Sequence, residues 1–236
     1  MNRDLLYECM TFMDYPEIGR WCSTNKDTYL TCSTDEQIGN LIRRKRIELR
    51  TDLLVSNPSM TDKMMYAIVT GDVEVVDELI KRGYDPSKDN NYPIILASYR
   101  GKLPIVNRLL EDKRVNPGAS GSSAVIRASE NDHLPVLNRL LQDKRVDPGA
   151  NHNQAIIWAS RFGYLRIVNR LLQHERVDPT ARHNEAIRWA SESATRYTYR
   201  QRCIPVVRRL LQDERVATSL SSVDFQKYLT QIGGVL

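Results

Sequence analysis

The sequence predicts an all-α fold: a solenoid of short helical hairpins behind a small N-terminal helical domain. Three observations carry this reading. The Ala of an Ala-Ser pair falls at Ala97, Ala128, Ala159 and Ala190, a constant step of 31 residues. The closing prolines Pro86, Pro117, Pro148 and Pro179 keep the same step. Each unit holds two apolar patterns at helical spacing, as in Ala155, Ile156, Ala159 and then Leu165, Ile167, Val168, Leu171, Leu172. A fixed period of this size marks stacked repeats. One such hairpin cannot bury both of its apolar faces, whereas adjacent copies build a continuous core.

Residues 153–179 show the unit most clearly. Gly163 separates the two helices and Asp178-Pro179 ends the unit. Asn153 and Asn184 stand where a cap for the inner helix is expected, since Asn is a good N-cap. Residues 62–86 form a first copy one residue shorter, with Ala67 placed 30 positions before Ala97. The fifth copy, residues 184–216, is stretched. Ser160 to Arg166 spans 6 positions, but Ser191 to Pro205 spans 14, so eight extra residues enter between the helices. The expectation is a wet loop at 195–202, rich in Arg and Tyr, that projects from the stack and can be replaced without loss of folding. Residues 217–236 lose the pattern; Ser222 is expected to cap a last helix carrying Phe225, Tyr228, Leu229 and Ile232.

The repeated segments resemble the ankyrin repeat. The pattern N-x-A-I-x-x-A-S stands where that family has T-P-L-H-x-A-A, and Leu-Leu followed by Val-Asp-Pro closes the unit. The Thr and His that fix the helix start in the family are absent. The resemblance covers about residues 62–216. It implies a protein-binding scaffold whose concave groove is lined by positions that vary inside a fixed frame. Those after the Ala-Ser pair are Tyr99, Arg100, Glu130, Asn131, Arg161, Phe162 and the pair Glu192-Ser193; those before it are Leu96, Arg127, Trp158 and Trp189. Trp, Tyr and Arg dominate binding hot spots. For Trp158 and Trp189, packing between repeats stands equal to groove lining. From the stretched copy, Arg196, Tyr197, Tyr199 and Arg200 join the expected partner-binding set, and the loop with Trp189 and Phe162 is expected to meet an acidic segment.

Residues 1–50 lack the repeat. They place Leu5, Leu6, Met10, Met13, Ile18 and Trp21 at helical spacing, with Pro16 suited to a first helical position. This stretch resembles an F-box through Asp4-Leu5-Leu6, Met10, Met13-Asp14, Glu17-Ile18 and Thr24-Asn25-Lys26, although the opening Leu-Pro is missing. The resemblance implies docking on the Skp adaptor of a cullin–RING ubiquitin ligase. A helical cap shielding the first repeat is the alternative. The two parts together look like adaptor-like proteins of large DNA viruses that infect amoebae. The domains expected are therefore 1–50, 51–216 and 217–236.

Composition narrows the function. The chain has 236 residues, 41% hydrophobic, and no apolar run near the ~20 residues needed to span a bilayer. Cys9, Cys22, Cys32 and Cys203 have no C-x-x-C spacing and are expected as reduced thiols in a cytoplasmic protein, with the nucleus as an alternative. Net charge is +5, yet residues 1–50 hold eight basic and eight acidic side chains. Residues 180–216 hold eight Arg against four acids, so the excess sits in the last repeat. A nucleic-acid, acidic or phosphate ligand bound by the basic last repeat is one rival reading, although the overall balance does not indicate a nucleic-acid-binding protein, and a plain scaffold with no ligase link is another. Arg43-Arg44-Lys45-Arg46 is read as a solvated helix face rather than a nuclear signal. No phosphate loop, dinucleotide fingerprint or H-E-x-x-H motif occurs, so neither catalysis nor a cofactor is expected. His152 and His183 share one column, but repetition explains them without a metal. Arg108, Arg139, Arg170 and Arg209 are expected on the wet face of the outer helix. Arg114, Arg145, Arg176 and Arg215 are expected to satisfy carbonyls at helix ends. The chain is expected to act as a monomer.

Overall fold

The computed structural model describes residues 59–196 and 198–233. The chain divides into two compact units, Met1–Tyr84 and Asp85–Leu236. The N-terminal helical expectation, with Leu5, Leu6, Met10, Met13, Ile18 and Trp21, lies outside the described residues, as does Tyr197.

In the first unit, α1 (Met60–Thr70) and α2 (Val73–Lys81) pack as a hairpin. Ser59 and Asp62 form a capping box: Ser59 Oγ accepts from the Asp62 N–H at 3.2 Å, and Asp62 Oδ2 accepts from the Ser59 N–H at 3.0 Å. Asp72 starts α2 by accepting from the Val75 N–H at 3.2 Å. Met64, Ala67, Ile68 and Val76 are fully buried.

The second unit repeats the hairpin four times. The inner helices are α3 (Lys88–Tyr99), α5 (Ala119–Glu130), α7 (Ala150–Phe162) and α9 (Ala181–Thr195). Their outer partners are α4 (Leu103–Leu110), α6 (Leu134–Leu140), α8 (Leu165–Leu172) and α10 (Arg200–Leu211). Inner helices pack on inner helices and outer on outer in chain order, which is the arrangement of a helical repeat solenoid. Ala97, Ala128, Ala159 and Ala190 are all fully buried where inner helices meet. Ile105, Leu109, Val136, Leu137, Ile167 and Leu171 supply the matching outer face.

Each inner helix opens on a feature that the periodicity does not reveal. Three consecutive residues adopt left-handed backbone angles before the right-handed helix begins: Asp89–Asn91, Ser120–Ser122, Asn151–Asn153 and Arg182–Asn184. Left-handed backbone costs most residues about 1–2 kcal/mol each, and Gly, Asn and Asp least. The third position is Asn91, Ser122, Asn153 or Asn184. The side chain there does not cap its own helix, as the sequence suggests, but reaches the next unit. Asn91 Oδ1 accepts from the Asn116 N–H at 2.7 Å, Ser122 Oγ from the Asp147 N–H at 2.9 Å, and Asn153 Oδ1 from the Asp178 N–H at 2.7 Å. At the end of the series, Asn184 Oδ1 accepts from Ser219 Oγ at 2.7 Å. A backbone donor that would otherwise be orphaned at each exit loop is satisfied by the repeat before it.

Both Arg columns also cross between repeats. Arg139 Nε donates to Asn107 Oδ1 at 3.0 Å and Arg170 Nε to Asn138 Oδ1 at 2.9 Å. These two arginines are half-buried, so the wet-face expectation is corrected for them. In the second column, Arg145 Nη1 donates to the Val115 carbonyl at 3.0 Å and Arg215 Nη1 to the Val177 carbonyl at 2.8 Å. Arg215 Nη2 also donates to the Leu172 carbonyl at the end of α8, at 3.3 Å, so the acceptors are carbonyls of the preceding helix end and exit loop. Each of these arginines also holds the acid two residues before it, at 2.7 Å for Arg145 with Asp143 and 2.9 Å for Arg215 with Asp213.

Those pairs set a pH dependence. The Arg145 hydrogen bonds hold the Asp143 carboxyl below the ordinary range, opposed by partial burial; Arg114 does the same to Asp112 and Arg215 to Asp213. A depressed folded-state pKa stabilises the fold fully above the unfolded value of ~3.9, and that contribution is lost as pH falls through the folded value. The urea midpoint is therefore expected to drop between pH 5 and pH 3. Asp143→Asn should flatten that dependence; equal slopes in the two proteins would show that the pair contributes nothing.

After α10 come α11 (Glu214–Ser219) and α12 (Ser222–Gln231). The cap of α12 is Ser221, one residue earlier than expected, accepting from the Asp224 N–H at 3.1 Å. Tyr228 and Ile232 are buried, and Gln231 Nε2 donates to the Ser191 carbonyl at 2.7 Å, which ties the last helix to α9.

Candidate functional site

The stretched fifth unit shapes the site. Its eight extra residues do not form a projecting loop. Helix α9 has 15 residues against 13 in α7, and α10 has 12 against 8 in α8, so six of the eight extend helices. Only residues 196–199 connect them. The added first turn of α10 lies on the unit before it. A Cβ at Gly163 (φ +78°) would stand 2.6 Å from Arg202 Cβ, so a side chain there would force the two apart. The buried Cys203 thiol points at the Arg161 carbonyl at 3.6 Å, and burial pushes its pKa up to about 11. The thiol stays protonated and packs as a small hydrophobe. The side chains of Arg196, Arg200 and Arg202 remain exposed. Replacing 195–202 by a Gly-Ser linker is now expected to destabilise the fold, because residues 195 and 200–202 are helical and each Gly costs about 1 kcal/mol there. A thermal midpoint equal to the parent's would restore the loop reading.

Beside that turn the structure gathers four of the expected groove residues. The Trp158 and Phe162 rings, one helical turn apart on α7, stack with centroids 5.9 Å apart and an interplanar angle of 14°. Tyr164 continues the row at 5.9 Å from Phe162. The Arg161 guanidinium lies 3.9 Å from the centroid of the Trp189 ring and 5.2 Å from that of Trp158. Both indoles therefore contribute cation–π attraction to one guanidinium. Trp189 is fixed in turn, its Nε1 donating to Glu185 Oε1 at 2.9 Å. Arg182 Nε stands 3.0 Å from Glu185 Oε2 as an ion pair without hydrogen-bond alignment. Trp158 and Trp189 are half-buried, so neither of the two sequence readings, core or bare groove, describes them alone.

The other expected residues divide. Leu96 is 5% exposed and belongs to the core, which removes it from the groove. Arg127 is exposed but spends its charge on Glu130 at 2.7 Å, while Asn131 Nδ2 donates to the Arg127 carbonyl at 2.9 Å at the helix end. Tyr99 is exposed, with the Arg100 guanidinium 5.3 Å from its ring. The Tyr99 carbonyl accepts from His133 Nε2 at 2.9 Å. Burial lowers the His133 pKa, so the neutral ring with its proton on Nε2 is favoured. His133 was not singled out by sequence; its signal is that it stands opposite Gly101, where only a residue without Cβ admits the ring. Arg196 stands 4.0 Å from Glu192, and Tyr199 precedes α10 half-buried. His152 and His183 occupy the middle of the left-handed triplets with exposed rings. Among the described residues no group of three His, Cys, Asp or Glu side chains could hold a metal, and no helix is long and apolar enough to cross a membrane.

An array of packed helix pairs, with an aromatic and cationic cluster on its inner helices, defines a helical-repeat scaffold. The family of ankyrin repeats, in three copies, matches residues 64–152. The described residues thus form a helical repeat solenoid, of which residues 64–152 match ankyrin repeats, a repeat class that binds protein partners. No curated protein matches the chain.

Proposed function

We propose that this chain is a protein-interaction adaptor whose partner docks on the inner helices of its last two repeats. The observation that carries this reading is the cluster of Arg161 with the Trp158 and Trp189 rings, extended by Phe162 and Tyr164. A structural core would bury these rings; here they stay half-exposed and pre-ordered. Rigid aromatic area beside Arg is the composition of a binding hot spot. The test places a photo-crosslinking phenylalanine analogue at position 162 and, as control, at Val223, which is 74% exposed on α12. Adducts in cell extract are expected at 162 only, and Trp158→Ala should weaken capture about tenfold, or ~1.4 kcal/mol. Equal adducts from both positions would remove the reading.

A second reading adds a ubiquitin ligase. It rests on the F-box-like residues Leu5, Leu6, Met10, Met13, Ile18 and Trp21, and on the resemblance to amoebal-virus adaptors. It is supported by sequence pattern alone. Purified Skp adaptor should be retained by the full chain and lost with Met13→Asp if residues 1–50 dock it; retention by both proteins would dismiss that face. The same reading places the chain in the cytoplasm, where such ligases and reduced thiols occur.

A further inference from the structure

The inner-face cluster has an uneven charge balance that specifies its partner. Arg161 is half-buried, its guanidinium 3.9 Å from the Trp189 ring centroid and 5.2 Å from that of Trp158, yet its N–H groups meet no acceptor among the described residues. Arg202, against Gly163, and Arg200 at the start of α10 also have no carboxylate partner among the described residues. The acids nearby are largely engaged. Glu185 holds Trp189 and Arg182, Glu192 lies beside Arg196, and Glu130 holds Arg127; Asp132 is exposed and has no ion pair among the described residues.

We propose that Arg161 is the anchor for an aspartate or glutamate side chain of an acidic peptide segment that crosses the aromatic row. The proposal rests on the inner-face reading above and names its partner's chemistry. A guanidinium held against two indole rings has already lost part of the conformational freedom that a free Arg would lose on binding. Its edge offers parallel N–H donors that match one carboxylate in bidentate fashion. A carboxylate fits better than a phosphate. A phosphate dianion calls for several converging cations, while Arg182, Arg196 and Arg127 each already face an acid. Arg202 then serves a flanking acid of the same segment.

The test titrates the full chain, labelled with 15N at tryptophan, with the peptide acetyl-Gly-Asp-Glu-Asp-Glu-Gly-amide. Controls are its Asn/Gln isostere and a phosphoserine peptide of equal length. The acidic peptide is expected to shift the indole signals of Trp158 and Trp189, assigned through Trp158→Phe and Trp189→Phe. Arg161→Gln should weaken binding at least about tenfold, and Arg161→Lys nearly as much because the fork is lost. Should Arg161 variants unfold, the exposed Arg202→Gln, which keeps the cluster, should weaken binding about threefold. Equal binding of the isostere, no dependence on Arg161 or Arg202, or no indole shift with millimolar peptide would each overturn the proposal. Tenfold tighter binding of the phosphoserine peptide would replace it with a phosphopeptide site. If crosslinking at position 162 persists while the acidic peptide fails, only the partner's chemistry is wrong and the inner face remains.

Discussion

Ala128→Asp abolishes the cooperative thermal transition of the solenoid, or lowers its midpoint far more than any surface substitution. Ala128 is fully buried on α5, which packs on α3 to one side and α7 to the other. Its counterparts Ala97, Ala159 and Ala190 are equally buried, so the column sets how closely inner helices approach. An Asp there brings extra volume and a carboxylate with no cation placed to receive it. Burying an unpaired polar or charged group costs several kcal/mol, and the group escapes only by taking up a proton or by forcing the helices apart. A loss of about 3–5 kcal/mol is expected, against a total of ~5–15 kcal/mol for an ordinary domain. In a repeat array the loss can be local, with units on either side holding. Circular dichroism melting should therefore be paired with hydrogen exchange, which is expected to show α5 and α7 opening first. Ala128→Ser, small and able to bond within its helix as Ser98 does to the Ile94 carbonyl at 2.7 Å, should cost far less. An unchanged midpoint for the Asp variant would mean that the column faces solvent.

The periodic part of this molecule is readable from sequence because burial imposes it. The Ala column, the Leu-Leu pairs and the prolines recur because every repeat meets the same neighbours, so a step of 31 residues implies the packing directly. Leu96 was misplaced for the opposite reason. Its column also holds Arg127, Trp158 and Trp189, and it sits at the shoulder of the inner helix. There an aliphatic side chain folds into the core while Arg and Trp keep one end in water. The stretched unit misled because an insertion without apolar periodicity reads as a loop. Thr195 and residues 200–202 of it extend α9 and α10 with exposed side chains, and an exposed helical turn leaves no hydrophobic trace. The Arg161 cluster is composed of residues that the sequence singles out, but their union is not legible. Arg161 and Trp158 are neighbours on one helix, whereas Trp189 arrives from the next repeat, 28 positions on.

Asn153→Ala is the second large effect, and it separates two roles that the sequence merged into one. Asn153 has φ 63° and ψ 32°, and its Oδ1 accepts from the Asp178 N–H at 2.7 Å. Asn153 is 9% exposed, but Asp178 is exposed and their bond is part-buried, so water can take over part of the lost acceptor's role. Losing such a hydrogen bond costs about 1 kcal/mol. Placing Ala in the left-handed region adds about 1 kcal/mol, since Asn tolerates that region and Ala does not. The expected total is ~2 kcal/mol, read as a lower urea midpoint with an unchanged slope. Asn153→Gly removes the acceptor but accepts the backbone angle, so it should recover only the conformational part. Asn153→Ser should be the mildest, because Ser122 holds the same place one repeat earlier, with φ 55° and its Oγ accepting from the Asp147 N–H at 2.9 Å. The ordering expected is Ser, then Gly, then Ala, from least to most destabilised. If Gly is as stable as the parent, the cross-repeat bond contributes nothing and the column is held for its backbone angle alone. If Ala equals Gly, the left-handed angle carries no cost and the bond is the whole effect.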